Sequence, residues 1–242
     1  MEDFGQPASF RVLCVDDDPD ILRILRFTFE DAGFDVGSAG SGAQALRWIG
    51  QHGLPHLALV DIRMPEMDGI ALCRQIQSFC DLPAILLTAV DDEPTVVDAL
   101  DKVAEDYVLK PFRPNELVAR ARRVLRRMGD LSFVQGPETP VDERLAVDFV
   151  RQTARVEGRS VPLTPTECKI LHILMRSAPR LVTTDYLLRR VWPLEAVFED
   201  TLRVHVHRLR QKIEASPGQP RYVLTHRGQG YSFIPVARQV PA

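Results

Sequence analysis

No stretch of the 242 residues approaches the roughly 18 uninterrupted apolar positions that a membrane span needs. Cysteine is scarce. Of the four, Cys14 lies in an apolar run, Cys73 and Cys168 sit on helical patterns, and Cys80 falls near a helix end. None belongs to a CxxC or to a Cys/His pair with zinc spacing, so a zinc module and a disulfide framework are both set aside in favour of small buried thiols. The first residues, Met1 to Ser9, are acidic and polar, without the basic and then apolar regions of a secretion signal. These absences lead to one expectation: a cytoplasmic protein with no membrane partner.

A large excess of charge of one sign is also missing, because the net charge is only −3. That total hides an asymmetry. Residues 1–127 carry 14 Lys/Arg against 21 Asp/Glu, a net of −7, residues 128–140 add −2, and residues 141–242 carry 16 against 10, a net of +6. An acidic half joined to a basic half suggests different partners for each, with nucleic acid the candidate for the basic one. The length fits two domains of roughly 100–130 residues.

Over residues 1–127, short apolar runs alternate with amphipathic stretches. Strands are expected at Phe10–Val15, Phe34–Ser38, Leu57–Val60, Ala84–Leu87 and Asp106–Leu109. Between them, Ile21, Leu22, Leu25 and Phe29 recur at helical spacing, Ser41 can cap a helix carrying Ala45, Leu46 and Ile49, and further helices fit Ile70–Phe79, Pro94–Lys102 and Pro114–Arg127. Strands rich in Leu and β-branched residues, alternating with helices, describe an α/β fold with a parallel sheet covered on both faces. Such sheets bind ligands at the carboxyl ends of their strands.

Those ends are polar. The first strand runs into Asp16-Asp17-Asp18, the third into Asp61, the fourth ends on Thr88 and the fifth on Lys110-Pro111. A single Asp after a strand is ordinarily a cap or turn residue. Polar groups from four strands at one sheet edge are another matter. Crowded carboxylates call for a hard cation, and Mg²⁺ suits a few carboxylates with water and phosphate oxygens. One carboxylate can then attack phosphorus to form an acyl phosphate, while the metal, a Lys and a Thr hydroxyl neutralise or bind the transferring oxygens. Asp61 is the nucleophile of choice because it stands alone at its strand end.

VDDDPDIL, LALVDIRMPEMDG, ILLTA and DYVLKPF together resemble the receiver domain of response regulators of two-component systems, over about residues 10–127. The resemblance implies a flavodoxin-like, doubly wound five-stranded parallel sheet. It implies Asp61 as phosphoacceptor and Asp16 and Asp17 as the acidic pair that holds Mg²⁺ together with Asp61, with the backbone carbonyl of Arg63 a further ligand. Thr88 and Lys110 become the phosphoryl-sensing pair, Tyr107 the aromatic that turns inward on activation, and Lys110-Pro111 a cis peptide. One loop departs from the family pattern: Val103-Ala104-Glu105-Asp106-Tyr107 replaces the usual Gly-containing GADDY segment.

Residues 128–140, with Gly129, Gly136, Pro137 and Pro140 and little periodicity, read as a linker. Short antiparallel strands are expected at Leu145–Phe149, Ala154–Glu157 and Ser160–Leu163, with a turn at Glu157-Gly158-Arg159. Thr164, Pro165 and Glu167 compose a capping box at the start of a helix, and a second helix fits Thr184–Val191. A third runs from about Glu199 to Glu214. There Leu202, Val206, Leu209 and Ile213 form one buried stripe, and the opposite face carries Thr201, Val204, His207, Arg208 and Gln211, flanked by Arg203 and Arg210. YVLTHRGQGYSF then reads as a hairpin with Arg227 at its tip.

LTPTE, TLRVHVHRLRQKIE and HRGQGYSF resemble the winged-helix effector of OmpR/PhoB-type regulators, over about residues 143–235. The resemblance implies a four-stranded platform, a winged helix-turn-helix at 141–236, and DNA contacts at Thr201, Val204, His207, Arg208, Arg210 and Arg227. Where the family often reads RTVDVHI, this chain reads DTLRVHV, exchanging the signs of Asp200 and Arg203. The family's base preference is therefore not carried over.

The expected function is a transcription regulator rather than an enzyme. A sensor histidine kinase phosphorylates Asp61, and the chain dimerises through the face of the fourth helix, fifth strand and fifth helix. That face carries Asp98, Asp101, Lys102, Glu105, Asp106, Arg120, Arg122 and Arg127. The dimer binds double-stranded DNA, with RNA polymerase a further partner. A phosphatase or phosphotransferase on a similar sheet would carry a second acid two positions after the nucleophile, where this chain has Arg63.

Overall fold

A computed structural model of the chain describes residues 10–89, 103–127, 138–193 and 197–235. Two compact units are present, one carrying a five-stranded sheet and the other a four-stranded and a three-stranded sheet.

In the first unit β1 (Arg11–Val15), β2 (Asp35–Ala39), β3 (Leu57–Asp61), β4 (Ala84–Ala89) and β5 (Asp106–Lys110) pair in the order β2-β1-β3-β4-β5, every pair parallel. Val12 to Val15 and Leu57 to Val60 are all but fully buried, as near-continuous apolar runs in the middle of a two-sided parallel sheet must be. Three strands run further than their apolar residues suggest. Asp61 pairs with Leu87, Thr88 with Leu109 and Ala89 with Lys110, so the ladder carries the polar residues as strand members. The order places a switch point between β2 and β3, on either side of β1.

The helices are α1 (Pro19–Asp31), α2 (Gly42–His52), α3 (Gly69–Gln77) and α4 (Pro114–Arg127). Asp18 caps α1 by accepting hydrogen bonds from the backbone N–H of Asp20 and Ile21, and Pro19 opens the first turn where its missing N–H costs nothing. Leu25 and Phe29 are the buried residues of α1, and the Phe29 ring meets that of Phe34 at 5.3 Å. The helix expected at 94–102 lies outside the described residues.

The second unit opens with β6 (Thr139–Pro140), β7 (Leu145–Asp148), β8 (Thr153–Val156) and β9 (Arg159–Pro162), antiparallel in the order β6-β7-β8-β9. Strand β6 corrects the linker expected at 128–140, because Thr139 and Pro140 already belong to the platform. A two-residue strand shows no alternation, and a Pro is tolerated there because β6 is an edge. Three helices follow: α5 (Pro165–Ser177), α6 (Thr184–Val191) and α7 (Glu199–Ile213). The capping box is formed in full, with Glu167 N–H donating to Thr164 Oγ1 and Thr164 N–H donating to Glu167 Oε2.

A three-stranded sheet closes the unit. β10 (Val182–Thr183) pairs with β12 (Gly230–Phe233), which pairs with β11 (Val223–His226). β10 is too short to show in the sequence. The cysteines Cys14, Cys73, Cys80 and Cys168 are free and buried, as small apolar residues would be.

Gly230 sits where β10 and β12 approach most closely. Its φ is +153°, and a Cβ there would lie 2.1 Å from the Val182 carbonyl oxygen. Gly230→Ala is therefore expected to cost about 2 kcal/mol or more through backbone strain and overlap. Urea unfolding of the full chain measures it, and an unchanged midpoint would contradict the close approach.

Candidate functional site

The carboxyl edge of the parallel sheet gathers the groups expected there. Asp16 directly follows β1 and is fully buried. Asp61 ends β3, Thr88 lies in β4, and both are almost entirely buried. Lys110 ends β5 and reaches across the edge to two carboxylates, Asp16 Oδ2 at 2.7 Å and Asp61 Oδ1 at 2.8 Å. Asp16 keeps its other oxygen for the backbone N–H of Asp18 at 3.0 Å, which ties the acidic pair to the start of α1. Asp17 is exposed, but one carboxylate oxygen from each of Asp16, Asp17 and Asp61 falls within 4.8 Å of the others.

The electrostatics follow from this crowding. Burial raises the pKa of Asp61, the nearby Lys110 ammonium works against that, and Asp16 and Asp17 push it up again, leaving it above the ordinary value. Burial works against charge on Lys110, yet two carboxylates in direct contact leave its pKa raised, so it stays an ammonium. One cation is thus shared between two buried acids, with a third acid alongside.

The donor set fits a hard divalent cation. Three carboxylates within reach of one another offer oxygen alone, and a single ammonium does not balance them. Arg63 is exposed in the loop after β3, between the buried Ile62 and Met64. Thr88 Oγ1 donates to the carbonyl of Ala89 at 3.2 Å. Tyr107, on β5 opposite Leu86, is 47% exposed, so its ring stands outward. Lys110-Pro111 is cis.

One residue the sequence reading did not single out is Gly69, the first residue of α3. A Cβ there would lie 2.1 Å from the Asp61 carbonyl oxygen, and its N–H donates to Ile62 O at 2.9 Å. The loop after the phosphoacceptor candidate thus folds back against Asp61 itself, with Asp68 Oδ1 accepting from Ala71 N–H at the helix start. A Gly immediately after a capping Asp, where a better helix former would serve the helix, was the available signal.

Of the face expected to form a dimer, Asp98, Asp101 and Lys102 fall outside the described residues, as does the side chain of Arg127. Asp106 is held by Arg120 at 3.1 Å and Arg123 at 2.7 Å, and Arg122 donates to Ala32 O at 3.0 Å.

In the second unit α7 buries Leu202, Val206, Leu209 and Ile213, the expected stripe. Val204, His207, Arg208 and Arg227 are exposed and Thr201 is half-exposed. Arg203 is drawn to its own helix, at 2.9 Å from Glu199 and 3.2 Å from Asp200. Arg210 differs from the other expected contacts: it turns onto β11, donating to Val223 O and Thr225 Oγ1.

An acid-rich strand edge bridged by one Lys, joined in sequence to a helix-and-hairpin unit, is the layout of a regulatory protein with a receiver and an output module. Family models agree: the response regulator receiver domain matches residues 12–122, and the C-terminal domain of transcriptional regulatory proteins matches residues 158–233. The DNA-binding response regulator MtrA of Mycolicibacterium smegmatis is 38% identical over 226 residues, 93% of this chain and 97% of that protein. The transcriptional regulatory protein KdpE of Mycobacterium tuberculosis is 38% identical over 223 residues, 92% of this chain and 98% of its own. The crystal structure of DrrB, an OmpR/PhoB homologue of Thermotoga maritima, aligns over 93% of this chain and 99% of that one, at 29% identity with a TM-score of 0.44. The chain belongs to the two-component response regulators, of the OmpR/PhoB type, with a receiver domain and a transcriptional-regulatory C-terminal domain. Among the described residues, no helix is long and apolar enough to cross a membrane.

The raised pKa of Asp61 has a sign that can be tested. Its ionised form is disfavoured in the folded chain, so the associated stability is present below the ordinary value of 3.8 and is lost as pH rises through the folded value. Without divalent cations, Asp61→Asn should unfold at a higher temperature than the parent at pH 7, and the gap should close below about pH 3.8. A lower melting temperature at pH 7 would mean that the Lys110 pairing outweighs burial.

Proposed function

We propose that the receiver accepts a phosphoryl group on Asp61 and that the C-terminal domain binds double-stranded DNA. The observation that carries the first part is the sharing of Lys110 between Asp16 and Asp61 at 2.7 and 2.8 Å. Mg²⁺ would be held by Asp16, Asp17, Asp61 and the Arg63 carbonyl, and when bound it supplies charge neutralisation. The Asp61 carboxylate attacks phosphorus, the bond from phosphorus to its donor breaks, and the donor leaves with the electron pair. Lys110 then faces the new phosphoryl oxygens instead of a bare carboxylate, and the Thr88 hydroxyl turns from Ala89 O to one of them. Tyr107, outward in this structure, moves inward behind Thr88.

Output follows on the second domain, from Thr139 onward. DNA contacts are assigned to Thr201, Val204, His207, Arg208 and Arg227. This assignment is supported by their exposure and by the net charge of +6 over residues 141–242. Phosphorylation favours a homodimer through the face that includes β5 and α4, RNA polymerase is the downstream partner, and the cytoplasm is the compartment. Regulation rather than turnover is supported by Arg63, which stands where an enzyme of the aspartyl-phosphate type would keep its second acid. Labelled acetyl phosphate with Mg²⁺ should mark the parent and not Asp61→Asn, and the labelled protein should sediment as a dimer. Label persisting in the variant refutes the phosphoacceptor.

The phosphoryl donor is a sensor histidine kinase. Its docking place is assigned to a groove between α1 and the start of α4, lined by Ile24, Phe27, Thr28, Pro114 and Asn115. Both segments leave the phosphoacceptor edge within a few residues, α1 after Asp17 and α4 after Lys110. Phe27 is 73% exposed and Ile24 44%, an apolar pair suited to a helical partner. Phe27→Ala should slow phosphotransfer from the kinase about ten-fold, a loss of the size expected for one buried anchor. Labelling by acetyl phosphate should be unaffected. Equal effects on both donors would place the residue's role in the pocket instead.

A further inference from the structure

The basic groups of α7 fall into two kinds. Arg208 and His207 are exposed and, among the described residues, have no hydrogen bond or ion pair, so they are available to a ligand. Arg210 is committed. Its Nε and Nη2 both donate to the Val223 carbonyl oxygen, at 3.0 and 2.6 Å, and Nη2 also donates to Thr225 Oγ1 at 2.7 Å. The guanidinium is half-buried, and burial lowers its pKa against the opposing pull of Tyr231 and Glu214.

The place where this fork attaches matters. Val223 opens β11, and the hairpin of β11 and β12 turns at Arg227, two residues beyond Thr225. Near its base the hairpin is held by other contacts: Glu214 accepts from the N–H groups of Arg221, Tyr222 and Val223, and β10 pairs with β12. Arg210 adds a link from one turn earlier on α7 to the strand further along, at Thr225. A planar fork with several fixed donors can grip a carbonyl and a hydroxyl together, which an ammonium matches poorly.

We propose that Arg210 is a positioning residue for DNA binding: it locks α7 to β11, so setting the spacing between the helix that carries His207 and Arg208 and the wing tip that carries Arg227, and it does not itself contact a phosphate. This rests on the reading of the C-terminal domain as DNA-binding. Two contact elements held at fixed separation engage a duplex together, whereas a loosened wing must be ordered at the moment of binding.

The test uses the full chain and a duplex selected by it from a random pool. Dissociation constants are measured over a range of salt for the parent, Arg210→Met, Arg210→Lys, Thr225→Val, the Arg210→Met/Thr225→Val double variant and Arg208→Ala. Arg210→Met should weaken binding roughly ten-fold, the scale of losing hydrogen bonds from a charged donor. Thr225→Val should weaken it less, the double variant should be no worse than Arg210→Met, and Arg210→Lys should recover part of the loss. The salt slope of all four should match the parent, while Arg208→Ala should reduce it by about 0.9, the signature of one lost phosphate contact. A slope lowered by about 0.9 in Arg210→Met, additive effects with Thr225→Val, or parent-like affinity in Arg210→Met would each overturn the proposal. If the parent selects and binds no duplex, the DNA-binding reading itself fails, and the proposal falls with it.

Discussion

The receiver half depends on one ammonium group placed between two buried carboxylates. Asp16 has no solvent exposure and Asp61 almost none, and like charges in such a setting repel strongly unless a cation intervenes. Lys110 supplies that cation from β5, the edge strand of the sheet, while the acids come from β1 and β3. The same contact closes the sheet edge and sets the charge of the pocket. Three carboxylates against one ammonium leave the pocket short of positive charge, which a hard divalent cation would supply.

The second half uses its charged groups differently. Glu167 closes a capping box and receives Lys212 at 2.7 Å, Arg144 donates to Ile213 O, and Glu214 collects three backbone N–H groups. These groups fasten α7 to the platform and to the wing. The helix is therefore anchored through its C-terminal half, and the exposed Val204, His207 and Arg208 stand on a rigid support. Rigidity of this kind favours specificity, because a site carried on fixed elements loses less freedom when it binds.

Much of this was legible in the sequence, for identifiable reasons. Strands buried on both faces leave uninterrupted apolar runs, so β1 and β3 were plain, and the residue ending each run named Asp16 and Asp61. The stripe of Leu202, Val206, Leu209 and Ile213 follows helical periodicity directly. Strands β6 and β10 were hidden because two residues cannot display an alternation. Gly69 was missed because the Gly after a capping Asp hints only at a local constraint, while the Asp61 carbonyl that imposes it lies eight residues away. Helical spacing puts Arg210 at the border of the exposed face, but its bonds to Val223 and Thr225 could not be read from the sequence, because they exist only once β11 has folded beside it.

The central claim is that the receiver pocket sets three crowded carboxylates against a single ammonium. Calorimetric titration of the full chain with Mg²⁺ at pH 7 tests it most directly. The parent should bind the ion through its crowded carboxylates, and Asp16→Asn should abolish or sharply weaken binding. Binding absent from the parent, or equally strong in Asp16→Asn, would contradict the account.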